Sequence, residues 1–218
     1  MDYFKSLPWF DALTKEPGFE TFTPVSRSNE DYDDDKVPKN QLLRRTLNNR
    51  DAIPHCVGFY MKHTPPHVEG HKISASNSVV TEKSPKKRFL VPSCSVAYDL
   101  RPGVNGLNGT VQGGFAAALM DDTMIDVIIL NDEAQQRYGI EGELPADVVD
   151  LRRQHAATAY INVQFRKPIF TPQVVVVTAS PVSLKGRKLI LSAEIKDEKG
   201  DICVTCESLL IGLLKEKI

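Results

Sequence analysis

Residues 109–122 read Gly-Thr-Val-Gln-Gly-Gly-Phe-Ala-Ala-Ala-Leu-Met-Asp-Asp. Two adjacent glycines, Gly113 and Gly114, open a long apolar run, and two carboxylates follow about two helical turns later. The first N–H groups of a helix have no partner within it, so a helix beginning at Gly113 can hold an anion there. Asp121 and Asp122 are costly residues on a segment as apolar as 115–130 unless something employs them. An anion-holding backbone and a carboxylate in an apolar setting are the equipment for attack on an acyl group.

Those residues must be carried by particular elements. Residues 115–130 are apolar nearly all round, which predicts a buried helix. Residues 89–100 read as a strand, and four more follow at 158–165, 174–181, 188–196 and 202–213. In 188–196, Leu189, Leu191, Ala193 and Ile195 alternate with polar residues, the signature of a half-buried strand. Lys185-Gly186-Arg187 and residues 198–201 have hairpin-turn chemistry. A strand, a long buried helix and an antiparallel meander describe an α+β fold, a sheet wrapped around one central helix. Residues 131–155 are charged and turn-rich, a connection that serves either as a surface loop or as a lid.

The first 84 residues differ from the rest. They read as an N-terminal extension of short helices and loops ahead of a domain over 85–218, with a basic hinge at 82–88. Leu42, Leu43 and Leu47 predict a short helix within 40–50, and residues 29–35 form a solvated acidic run. Trp9, Phe10, Phe19 and Phe22 could cover an apolar opening.

With 27 basic and 28 acidic residues, the charge balance suggests neither nucleic acid nor an anionic membrane as a partner. No stretch is long and apolar enough for a membrane span, and the first residues resemble neither a signal nor a transit peptide, so a cytoplasmic location is expected. Cys203-Val-Thr-Cys206 matches a redox spacing but lies in a predicted strand, where residues three apart point to opposite faces. His63, His67 and His71 are spaced by four, yet Pro65, Pro66 and Gly70 deny them a helix. No metal site is expected.

Taken together, these residues resemble the PaaI-like hotdog-fold acyl thioesterases over roughly 90–214. The likeness rests on Gly-Gly opening the helix, on Asp eight residues after the first glycine, on Ala-Tyr-Ile-Asn-Val-Gln-Phe-Arg-Lys-Pro at 159–168, and on Gly186-Arg-Lys-Leu189 in the closing meander. Residues 46–55 (Thr-Leu-Asn-Asn-Arg-Asp-Ala-Ile-Pro-His) resemble the extension of fungal members. The resemblance implies hydrolysis of an acyl-CoA or acyl-carrier-protein thioester without a cofactor. It makes Asp121 the carboxylate, Gly113 the oxyanion donor and Thr158 the residue that orients water. Gly114 is implied in substrate binding, and the cations Arg166 and Lys167 are candidates for phosphate contacts. Two departures stand out. Gln112 occupies the usual catalytic histidine position, where its side-chain amide can still donate to a carbonyl but cannot titrate. Gly106 occupies a usual amide position, for which Asn105 or Asn108 could substitute.

Residues eight apart on a helix are separated by about 12 Å along its axis. One carbonyl cannot meet both Gly113 and Asp121 of a single chain, so shared catalysis requires a homodimer, or a dimer of dimers, with composite sites. Two alternatives stay open. A hotdog hydratase or dehydratase would need an acid–histidine pair, and no histidine lies between His71 and His155. A non-catalytic acyl-binding or scaffold module would explain Gln112 and Gly106.

Overall fold

The computed structural model describes residues 2–28, 40–62, 87–141, 143–151 and 156–212. The acidic run 29–35, the histidine row 63–71 and the hinge residues 82–86 lie outside them. The chain begins with two short helices, α1 (Asp2–Lys5) and α2 (Pro8–Leu13), and continues through β1 (Phe19–Phe22), β2 (Cys56–Met61) and β3 (Cys94–Leu100). The long helix α3 (Gly113–Glu141) follows, then β4 (Ala156–Phe165), β5 (Gln173–Lys185), β6 (Lys188–Lys196) and β7 (Ile202–Gly212). The strands form a single sheet in the order β1-β2-β3-β5-β6-β7-β4, with every pairing antiparallel. This is the expected hotdog arrangement.

Helix α3 lies against one face of the sheet. Leu119, Met120, Met124 and Val127 are fully buried there with Val96, Tyr98, Val175, Val177, Leu191 and Ile195. The apolar row of β6 points to the helix, as its alternation predicts, and Gly186, at φ 59°, turns the two-residue loop between the paired Lys185 and Lys188. Positive φ is nearly free for glycine, which is why it sits at that turn.

Three features differ from the sequence reading. Residues 1–84 contribute two strands, β1 and β2, which continue the sheet beyond β3. Their pairing satisfies the β3 edge, something local patterning does not display. The aromatic residues of the extension also sit on the far side of the sheet. Phe4 and Phe10 pack on Val57, Phe59 and Ala97, with Trp9, Phe19, Val174 and Val176 around them. Val57, Ala97 and Val176 are paired across three strands and so share the face opposite α3. Of the four aromatics expected to cover an opening, only Phe22 packs against the helix-side core.

The third difference is the length of α3. It runs through 131–141, which the sequence reading assigned to a connecting segment. Glu, Ala, Gln and Arg there are good helix formers. Asn131 clamps Val91 through both backbone groups at 3.0 and 2.8 Å. Gln135 holds Val149 and Leu151 at 2.9 and 2.7 Å, so the returning chain lies along the helix rather than looping free.

Candidate active site

Asp121 is half-buried on α3 and accepts a hydrogen bond from Thr158 Oγ1 at 2.9 Å. A β-bulge decides this contact. Thr158 pairs with Leu210, but Tyr160 pairs with Leu209, so one residue of β4 is extra. Thr158 and Phe165 are seven apart, which strict alternation would place on opposite faces. The bulge restores parity, so both face α3, Thr158 at Asp121 and Phe165 at Gly113. A Cβ on Gly113 would lie 3.1 Å from the tip of the Phe165 ring.

The helix start is built around Gln112. Its backbone carbonyl accepts from Ala116 N–H at 3.0 Å, and its side-chain Oε1 accepts from Phe115 N–H at 2.6 Å. Gln112 is therefore a helix cap. Gly114 leaves room for it, since a Cβ there would come within 3.1 Å of that oxygen. With Phe115 N–H satisfied, the Gly113 and Gly114 N–H groups have no partner among the described residues.

A cleft of about 300 Å³ opens beside this end of the helix. Val111, Ala116, Ile169 and Val204 give it apolar walls, and Arg166 and Lys167 stand at its rim. Lys167 is paired with Asp201 at 2.7 Å. Among the described residues, the Arg166 guanidinium hydrogen-bonds the neutral Thr205 and Gln164, at 3.4 and 3.3 Å. Asn105 Oδ1 accepts from the Thr171 hydroxyl at 2.8 Å. Asn108, at φ 55°, is exposed in the turn before the helix.

A second cluster lies one face away on α3, around Asp122. Asp122 Oδ2 accepts from Ser26 Oγ at 2.6 Å and from Tyr98 OH at 3.2 Å. Asp126 Oδ1 accepts from Val25 N–H at 2.8 Å, while its other oxygen is buried without a partner. Burial pushes the Asp122 carboxyl up and Asp126 further, with the Asp122 charge adding to the rise. Asp126, one turn beyond Asp122 in an apolar run, was the available signal; nothing local pointed to Ser26.

A carboxyl whose folded pKa is raised supports stability most below its unfolded value, and that support is lost as pH rises through the folded value. Asp126→Asn is therefore expected to raise Tm by several degrees at pH 8 and by clearly less at pH 4. A smaller gain at pH 8 than at pH 4 in a thermal melt would contradict this.

The cysteines form no redox centre among the described residues. Cys203 and Cys206 are both buried in the helix-side core, Cys203 at a bulge in β7, so they do not point to opposite faces as alternation suggests. All four thiols are free, and burial pushes Cys206 up to about 11. No group of potential metal ligands is found among the described residues. No helix of the described residues is long and apolar enough to cross a membrane.

Residues 108–204, which carry Gly113, Asp121, Thr158 and the cleft walls, match the sequence profile of the thioesterase superfamily. Over that stretch, a little under half of the chain, the protein is similar to the thioesterase superfamily. The match begins just before the helix and ends within β7. Over 214 residues the chain is 28% identical to verlamelin biosynthesis protein B of Lecanicillium sp., covering 92% of this chain and 82% of that one. The part left out is too small to exclude the N-terminal extension.

Among solved structures, a thioesterase superfamily protein is 21% identical over 55% of this chain and 49% of its own, with a TM-score of 0.41. The chain thus spans about half the length of that relative. The E. coli PaaI protein from the phenylacetic acid degradation operon is 11% identical over 56% of this chain and 74% of its own, with a TM-score of 0.42.

Proposed function

We propose that the chain hydrolyses an acyl thioester of coenzyme A or of a carrier protein. The observation that carries this reading is the Thr158–Asp121 hydrogen bond, on the helix whose first turn borders a cleft through Ala116. As a general base, Asp121 takes a proton from water while the water oxygen bonds to the carbonyl carbon. As a nucleophile, its own oxygen attacks, and water then opens the resulting anhydride. In both routes the Gly113 N–H holds the oxyanion, and the C–S bond breaks to give thiol and acid. Residues 85–218 are the catalytic unit and 1–84 its extension. No cofactor is required.

The helix rise keeps Gly113 and Asp121 of one chain apart, so the working site joins two subunits of a homodimer or a dimer of dimers. Strand β4 supports this: it is the sheet's edge, largely exposed, with Tyr160 and Phe165 open to solvent. A long apolar edge needs a cover. Arg166, without a carboxylate partner among the described residues, suits a substrate phosphate better than Lys167, which Asp201 already holds. The similarity to a verlamelin biosynthesis protein favours a biosynthetic role.

The test is a panel of acyl thioesters assayed for free thiol, with Asp121→Asn as control. Thiol release that depends on Asp121 is expected. Tight acyl binding without release from any member would favour the scaffold reading, and hydration of a crotonyl thioester would favour the hydratase. Thr158→Val is expected to lower kcat about tenfold with KM little changed, the loss of one hydrogen bond to a charged group. An unchanged kcat would remove Thr158 from the site.

A further inference from the structure

The middle of α3 is held from two sides. Thr158 of β4 grips Asp121, and the turn Val25–Arg27 grips the residues after it. That turn comes from a segment 96 residues away from the carboxylate it binds. Ser26 is 1% exposed and Asp122 is 9% exposed, so the bond between them is shut off from water. Among the described residues, the buried Tyr98 is the only other donor to the same Asp122 oxygen. Arg27 does not reach Asp122; its guanidinium donates to Cys56 Sγ at 3.3 Å and to the Ile53 carbonyl at 3.1 Å.

We propose that the Val25–Arg27 turn is a positioning element of the active site: Ser26, by binding Asp122, fixes the orientation and the charge environment of Asp121. The proposal rests on the reading of Asp121 as the reacting carboxylate.

The two aspartates are consecutive, so their side chains leave α3 about 100° apart and share one stretch of backbone. Whatever anchors Asp122 limits how that stretch can rotate. While ionised, Asp122 is also a like charge beside Asp121. A buried carboxylate keeps its charge only while donors hold it. With Ser26 removed, Tyr98 alone remains, and Asp122 takes up a proton more readily. Asp121 then loses a like charge beside it.

The other groups around the pair leave this coupling intact. Asp122 is faced by Arg27 from the turn, Cys56 from β2, Tyr98 from β3, and Asp121 and Asp126 from α3 itself. Cys94 of β3 lies near Asp126. Asp121 is faced by Thr158 of β4 and by Cys206 of β7. Burial keeps the three thiols and the phenol protonated through the acid range, so Asp122 and Asp126 are the acidic neighbours that change charge there.

The experiment compares the full chain with Ser26→Ala, Ser26→Thr and Tyr98→Phe. The acid limb of the kcat/KM profile is expected to move down by about half a pH unit in Ser26→Ala and in Tyr98→Phe. Ser26→Thr, which keeps the hydroxyl, should restore it. Carboxyl-carbon NMR provides a readout independent of turnover: the Asp122 resonance should respond at higher pH in Ser26→Ala. A role in folding alone would lower Tm and leave both readouts unmoved, which overturns the proposal. Wild-type chain that releases no thiol while the Asp122 resonance still shifts in Ser26→Ala would overturn the thioesterase reading and leave the Ser26 anchor standing. Turnover with resonance and limb both unmoved would do the reverse.

Discussion

Asp121→Asn lowers kcat/KM for thioester hydrolysis by about 10³-fold, within the range expected when a positioned general base is removed. Asparagine keeps the shape and the Oδ1 acceptor that Thr158 uses, so the contact at 2.9 Å can persist. It cannot take a proton from water, and its amide oxygen is a poor nucleophile. The fold should be unaffected, with Tm near that of the parent, because the Asp121 carboxylate makes no other hydrogen bond among the described residues and is only half-buried. Steady-state kinetics on the best substrate of the thiol-release panel checks this. Residual activity above a tenth of the parent would exclude Asp121 as the reacting carboxylate. The paired variant Asp122→Asn separates the neighbours: its buried partners Ser26 and Tyr98 make it a matter of positioning and stability, not of direct attack.

Gly113→Pro is expected to cost about 10²-fold in kcat relative to Gly113→Ala, because only the proline removes the N–H that would hold the oxyanion. Proline is favoured at the first position of a helix, and the residue before it is biased to the extended conformation that a cap adopts. The added bulk meets the far end of the exposed Phe165 side chain, which can move, and alanine controls for that contact. The same variant tests whether sites are shared. In a mixed dimer of Gly113→Pro and Asp121→Asn subunits, one composite site has both defects and the other has neither. Random mixing of two inactive proteins should therefore restore roughly a quarter of the parent activity. Mixtures that stay inactive, in dimers shown to exchange, would place each site within a single chain.

Much of this was legible in the residues themselves. The α3 segment is too apolar for a surface helix, and Gly-Gly followed by Asp marks where its chemistry would sit. The alternation in β6 oriented that strand before any contact was known. Gln112 was identified as the unusual residue of the motif. Its use as a helix cap was not evident, because a glutamine at a helix start reads equally well as a substrate donor.

Residues 131–141 show the opposite case. Their charge suggested a loop, yet Asn131 and Gln135 are spent on distant backbone groups that only the folded chain brings near.

What the sequence by itself determined was the order of elements, the buried helix, and the separation of Gly113 from Asp121. These follow from periodicity and helix rise, which are local properties. What only the tertiary structure decided was which side chains meet. The bulge between Thr158 and Tyr160 puts Thr158 against Asp121, the pairing of β1 and β2 extends the sheet, and the turn at Ser26 reaches Asp122 across 96 residues. A bulge changes the parity of a strand without leaving a mark in its hydrophobic pattern, and a contact between distant segments has no local signature. The physical reason is the same in each case: these choices are made by pairing and packing between segments.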